Sequence, residues 1–124
     1  MLAKNEMIAF VATTQPEKAK AFYSDVIGLK LLEEGPFALR YSAGEITLHV
    51  QKVQQFSPHP FTSLGWKVAD IHTTIAALAR LGVKFERFPG MQQDDAGVWT
   101  TPAGGKVGWF KDPDGNLLSI TQFR

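Results

Sequence analysis

The chain has 124 residues, 44% of them hydrophobic, so a core can form without a disulfide or a structural metal. It has no cysteine, which excludes thiol nucleophiles, disulfides and cysteine-based zinc sites together. A net charge of +1, from 13 Lys and Arg against 12 Asp and Glu, is too balanced for a nucleic-acid footprint, and no apolar run reaches the length of a membrane span.

Residues 1–6 show no basic stretch leading into an apolar run, so the expectation is a cytoplasmic protein with neither nucleic acid nor membrane as partner. Residues 7–13 (MIAFVAT) read as a strand. Pro16 suits the first turn of a helix, with Thr14 as its N-cap. The helix runs over 16–27, with Ala19, Phe22, Tyr23 and Val26 on one face, and Gly28 ends it. Strands follow over 29–33, 38–42 and 45–51, the last two joined at Ala43-Gly44. Pro58 and Pro60 forbid a helix or central strand in the next stretch, which reads as a connector over about 53–61.

The second half repeats the first. Residues 62–68 (TSLGWKV) read as a strand, Asp70 as an N-cap, and 71–81 as a helix with Ile71, Ile75, Leu78 and Leu81 at helical spacing. Gly82 ends it, and strands are predicted over 83–88, 96–101, 106–111 and 116–123. Pro102-Ala103-Gly104-Gly105 and Asp112-Pro113-Asp114-Gly115 supply the turns. Ile27-Gly28-Leu29-Lys30 echoes Leu81-Gly82-Val83-Lys84 at an offset of 54 residues. The reading is one α+β domain over 1–124: a βαβββ module at about 5–52, the connector, and a second βαβββ module at about 62–124.

Three segments carry a family resemblance. Ala21-Phe22-Tyr23-Ser24-Asp25-Val26-Ile27-Gly28-Leu29 resembles the helix end of vicinal oxygen chelate proteins. Trp66-Lys67-Val68-Ala69-Asp70-Ile71 resembles the entry to their second helix, and Phe110-Lys111-Asp112-Pro113-Asp114-Gly115-Asn116 their DPDGN hairpin. The group includes glyoxalases, bleomycin-resistance proteins and extradiol dioxygenases. The resemblance implies two half barrels facing a cavity. It implies a homodimer, and a divalent metal that binds vicinal oxygens of a substrate. It also places the metal ligands: Ile8 on the first strand, Thr47 or His49 on the last strand of the first module, Ser63, and Ser119. Isoleucine cannot donate, neutral serine is a poor ligand, and one imidazole does not hold a catalytic metal. His59 and His72 match no ligand position. The expectation is therefore no metal and no cofactor, with a divalent ion as the alternative if the register is off by a residue or two.

Strand alternation selects the residues that line such a cavity. Ser63, Gly65 and Lys67 share one face of their strand, with Leu64, Trp66 and Val68 under the helix. Leu117, Ser119 and Thr121 share a face, Thr47 and His49 share another, and Ile8, Phe10 and Ala12 form an apolar side. A lysine ammonium inside a concave site favours an anionic or carbonyl-bearing ligand and, if buried, amine chemistry; otherwise Lys67 extends its head to solvent. His49 is a general base or a hydrogen-bond donor, or a strand histidine satisfied by a neighbour. Trp99 follows the polar loop 92–97, which reads as a lid, a recognition loop or a plain connection. The candidate ligand-binding residues are His49, Lys67, Ser63, Ser119, Thr121, Thr47, Phe10 and Trp99. They suggest a small-molecule binder of the bleomycin-resistance type. The alternatives are a lyase, isomerase or dioxygenase acting on a small oxygen-rich substrate through His49 or Lys67, and an interaction domain with no ligand.

Overall fold

The structure, a computed structural model, describes all of residues 1–124 and divides into two compact units, Met1–Pro58 and His59–Arg124. The first unit runs β1 (Ile8–Thr13), α1 (Pro16–Ala21) continuing as a π-helical turn (Phe22–Val26), β2 (Lys30–Glu34), β3 (Ala38–Ala43) and β4 (Ile46–Lys52). The second runs β5 (Thr62–Lys67), α2 (Ile71–Arg80), β6 (Trp99–Thr100), β7 (Lys106–Lys111) and β8 (Leu117–Gln122). Each unit folds one four-stranded mixed sheet, in the orders β1-β4-β3-β2 and β5-β8-β7-β6. In each, the first strand lies parallel to the last and every other pairing is antiparallel. The fold is the expected α+β pair of βαβββ modules, with one topology written twice.

Both cores follow from alternation on the strands and from helical spacing. In the first unit Leu39, Tyr41, Leu48 and Val50 point to the helix side and meet Ala19 and Tyr23, all at most 1% exposed. The Tyr41 hydroxyl is hydrogen-bonded to Ser24 Oγ at 3.0 Å, so the ring is buried without an orphaned polar atom. Burial pushes its phenol upward, more than the Ser24 hydrogen bond draws it down. In the second unit Ile71, Ile75 and Leu78 of α2 are buried, with Phe110, Leu118 and Ile120 of the sheet.

The helix ends show how the sequence sets these boundaries. Gly82 has φ +92°; its N–H donates to Ala79 and that of Val83 to Leu78, a Schellman closure. Gly28 has φ +86°, but Leu29 N–H donates six residues back, to Tyr23, because the π turn widens the last helical turn by one residue. Asp70 caps α2 as expected, accepting from Thr73 N–H at 3.1 Å.

Four expectations need correction. Gln15, not Thr14, is the N-cap of α1 and makes no side-chain cap; the Thr13 hydroxyl instead accepts from Gln15 N–H at 3.0 Å. The first helix is α-helical only to Ala21. Residues 83–88 are not a strand. They touch β7 through one ladder bond, Glu86 N–H to Trp109 C=O at 2.7 Å, while the Gln93 side chain takes the Glu86 carbonyl and the Phe88 N–H that a neighbouring strand would have used. The strand predicted over 96–101 shrinks to Trp99–Thr100.

Candidate functional site

Each sheet buries one face under its helix and leaves the other open. On the second sheet, the register builds the open face in rows across the strands. Lys67 pairs with Thr121, Thr121 with Val107, and Val107 with Trp99. In the adjacent row Gly65 pairs with Ser119, and Ser119 with Trp109. Paired residues point to the same side, so five candidates belong to or border one surface: Lys67, Thr121 and Trp99 in one row, Ser119 in the next, and Ser63 at its margin. Ser63 itself falls in the register shift between Thr62 and Leu64, so it does not share the alternation of Gly65 and Lys67.

Trp109 dominates this surface. Its indole N–H donates to Thr62 Oγ1 at 3.1 Å, so the ring starts on β7 and reaches across β8 to β5. Beneath that reach Ser119 and Leu117 are only 7% and 6% exposed. A side chain on Gly65 would meet Ser119 Oγ at 2.7 Å, so the floor beside the serine stays bare. Phe88 meets the Trp109 ring edge-on at 5.4 Å, and Trp99 lies tilted beside it at 6.3 Å. Lys67 is exposed, which removes the premise of a buried reactive amine; its ammonium sits over the Phe123 ring, 5.6 Å from the centroid.

The first sheet has its own open face. Phe10 pairs with His49, His49 with Arg40, and Arg40 with Glu33; Ile8 pairs with Thr47. Phe10, Ile8, Thr47 and His49 therefore share one face, not two separate sides. Phe10 stands edge-on to the His49 ring at 5.1 Å, and Arg40 forms an ion pair with Glu33 at 3.5 Å. Phe10 and Ile8 remain 51% and 48% exposed.

The loop before Trp99 is braced, which argues against a free-swinging lid. Gln93 Nε2 donates to the Glu86 and Gly97 carbonyls, and Arg87 donates to those of Asp94 and Gln93. Asp94 accepts from the Ala96 and Val98 N–H groups and from His72 Nε2 at 2.7 Å, tying the loop to the first turn of α2. Burial alone would raise the Asp94 carboxyl, but these hydrogen bonds together hold it below its ordinary value. Beside Trp99 the loop walls an open cleft of about 380 Å³ lined by Gln92, Gln93, Asp94, Val98, Trp99 and Thr100.

The residues do not fit the divalent metal implied by the resemblance. No three His, Cys, Asp or Glu side chains come close enough to share an ion. The row around His49 offers a phenyl ring and a guanidinium, neither of them a ligand, and its one carboxylate, Glu33, is ion-paired with Arg40. Trp109, Phe123 and Arg40 were not among the sequence-derived candidates. The DPDG turn held the signal for Trp109: the hairpin it closes pairs Trp109 with Ser119.

No curated protein matches this sequence. Solved structures match over nearly the whole chain. An antibiotic binding protein, TnmS3 from Streptomyces sp. CB03234, is 24% identical with a TM-score of 0.76, covering 100% of this chain and 99% of that one. A lactoylglutathione lyase from Agrobacterium tumefaciens is 17% identical with a TM-score of 0.76, covering 98% and 96%. A glyoxalase family protein from Enterococcus faecalis is 25% identical with a TM-score of 0.69, covering 98% and 99%. These likenesses are of fold. The family model described as Glyoxalase/Bleomycin resistance protein/Dioxygenase superfamily matches residues 7–120, both modules together, and the chain belongs to that superfamily.

Proposed function

We propose that this chain is a small-molecule-binding protein that holds its ligand on the open face of the second sheet, through side chains and without a metal. One observation carries the reading: where a metal enzyme needs converging donors, this face presents Trp99, Trp109, Thr121 and the ammonium of Lys67. Tryptophans stack flat molecules and the hydroxyl and ammonium orient them, which suffices for capture. That an antibiotic binding protein shares the fold supports the same direction. The reading takes both modules as one domain and the protein as a homodimer, whose mass light scattering gives directly.

The test is a tryptophan-fluorescence titration of the purified chain with a panel of planar aromatic compounds, with EDTA and then with added Ni, Zn, Fe or Mn. Saturable binding of the same strength with EDTA and with metal supports the reading. Binding that appears only with metal overturns it in favour of a superfamily enzyme. No binding by any compound overturns it in favour of a domain whose open face takes no ligand.

A further inference from the structure

We propose that the ligand of this face is a planar aromatic anion, its ring system on the Trp99–Trp109 shelf and its carboxylate, sulfonate or phenolate against Lys67. The inference rests on the reading above and adds the charge and shape of the guest.

The shape comes from the register. Lys67, Thr121, Val107 and Trp99 stand in one row across four strands, three inter-strand spacings or about 14 Å between backbones. Val107 and Thr121 between the ends are smaller than the tryptophans, so the row is low in the middle. Trp99 and Trp109 lie at a shallow 33° to one another, with centroids 6.3 Å apart. A molecule of two or three fused rings lies along such a shelf more readily than a compact or branched one.

The charge comes from a census of the face. Two lysines stand in its rows. Lys111 already has Glu86 at 3.8 Å. Lys67 has no carboxylate within 4 Å and is held only by the Phe123 ring. At the other end, the Asp94 carboxylate accepts from His72 and two backbone N–H groups in the cleft beside Trp99, at the opposite end of the row from Lys67. The cation open to a ligand on this surface is therefore Lys67. The cation–π contact limits the wandering of the ammonium, which lowers the ordering cost of an ion pair with an incoming anion.

The test compares naphthalene-2-carboxylate with its neutral isostere, naphthalene-2-carboxamide, by tryptophan-fluorescence titration in low salt. Wild type is set beside Lys67→Gln and Trp99→Leu, each checked for an unchanged circular dichroism spectrum and melting curve. The carboxylate is expected to bind at least tenfold tighter than the amide. Lys67→Gln removes that preference by weakening the carboxylate at least tenfold and the amide far less, and 0.5 M salt narrows the preference in wild type. Trp99→Leu weakens both compounds. Equal binding of the two compounds, unaffected by Lys67→Gln, overturns the anion while the binding face stands. Binding that keeps its preference for the carboxylate in Lys67→Gln overturns the role of Lys67. Failure of both compounds to bind, with a neutral larger aromatic binding and losing affinity in Trp99→Leu, overturns the anion alone. Failure of every aromatic overturns the face itself.

Discussion

The two modules share one topology and each ends its helix at a glycine of positive φ, yet they diverge from the next residue onward. In the first, Gly28 leads directly into β2, which pairs along β3. In the second, Gly82 leads into a long segment that never becomes a strand and is held instead by Gln93, Arg87 and Asp94. Their open faces diverge as well. In the first, Arg40 is paired with Glu33 and Lys30 stands in a row with Ser42, Thr47 and Ile8; in the second, Lys111 has Glu86 at 3.8 Å and Lys67 lies over the Phe123 ring in a row with Trp99. The repeated pattern thus specifies the scaffold, and the departures from it place the chemistry. Departure is concentrated in the second module, beside the tryptophans.

The largest expected effect tests the shared part. Phe110 is fully buried on the helix side of the second sheet, with Phe85 at 5.3 Å. Phe110→Ala is expected to cost about 4 kcal/mol in urea unfolding, as a large ring leaves a cavity that its neighbours fill only in part. A loss below about 1 kcal/mol would mean that this core collapses around the gap and does not resemble a close-packed one. The next effect tests the divergent part. Gln93→Ala removes three hydrogen bonds to backbone groups at Glu86, Phe88 and Gly97. The expected cost is about 2 kcal/mol, with faster hydrogen exchange at the Phe88 amide and no change in the amides of β3 and β4. Unchanged exchange at Phe88 would show that the segment is held by packing and that Gln93 is dispensable.

The same division governs what could be read from the sequence. The repeat at Ile27-Gly28-Leu29 and Leu81-Gly82-Val83, the Asp70 cap and the DPDG turn act within a few residues, and each reappears in the structure as local geometry. Residues 83–88 carry a strand-like pattern, Val83, Phe85 and Phe88 among charges, but their hydrogen-bond partner is a glutamine side chain from the following loop, and no periodicity reports that. Trp109 was hidden for a related reason. Its importance lies in a reach across two strands to Thr62, a contact at a sequence separation of 47 residues. The bulge that takes Ser63 out of the row is likewise a property of the pairing with β8, not of the residues TSLGWK. Face membership was legible one strand at a time, and the joining of Phe10 to His49 waited on the parallel register of β1 and β4.

The smallest expected effect sharpens the comparison at the point where loop and helix of the second module meet. Asp94 bridges the loop to His72 on α2, and its carboxyl is held below its ordinary value of 3.8. A group whose folded value is depressed contributes stability that is present above its unfolded value and lost as the pH falls through the folded one. Asp94→Asn keeps an oxygen that can accept from the Ala96 and Val98 N–H groups and removes the charge. With both partners of the His72 pair about half exposed, at 48% and 45%, the variant is expected to lose about 1 kcal/mol or less at pH 5 and above. The gap between wild type and variant then starts to close as the pH drops below 3.8, where the unfolded chain takes up the proton first, and is gone only below the lower folded value. Urea midpoints measured from pH 6 down to pH 3 give this directly. A gap that stays constant across that range would assign the loss to altered hydrogen bonding within the loop, and would remove the charge of Asp94 from what distinguishes the second module from the first.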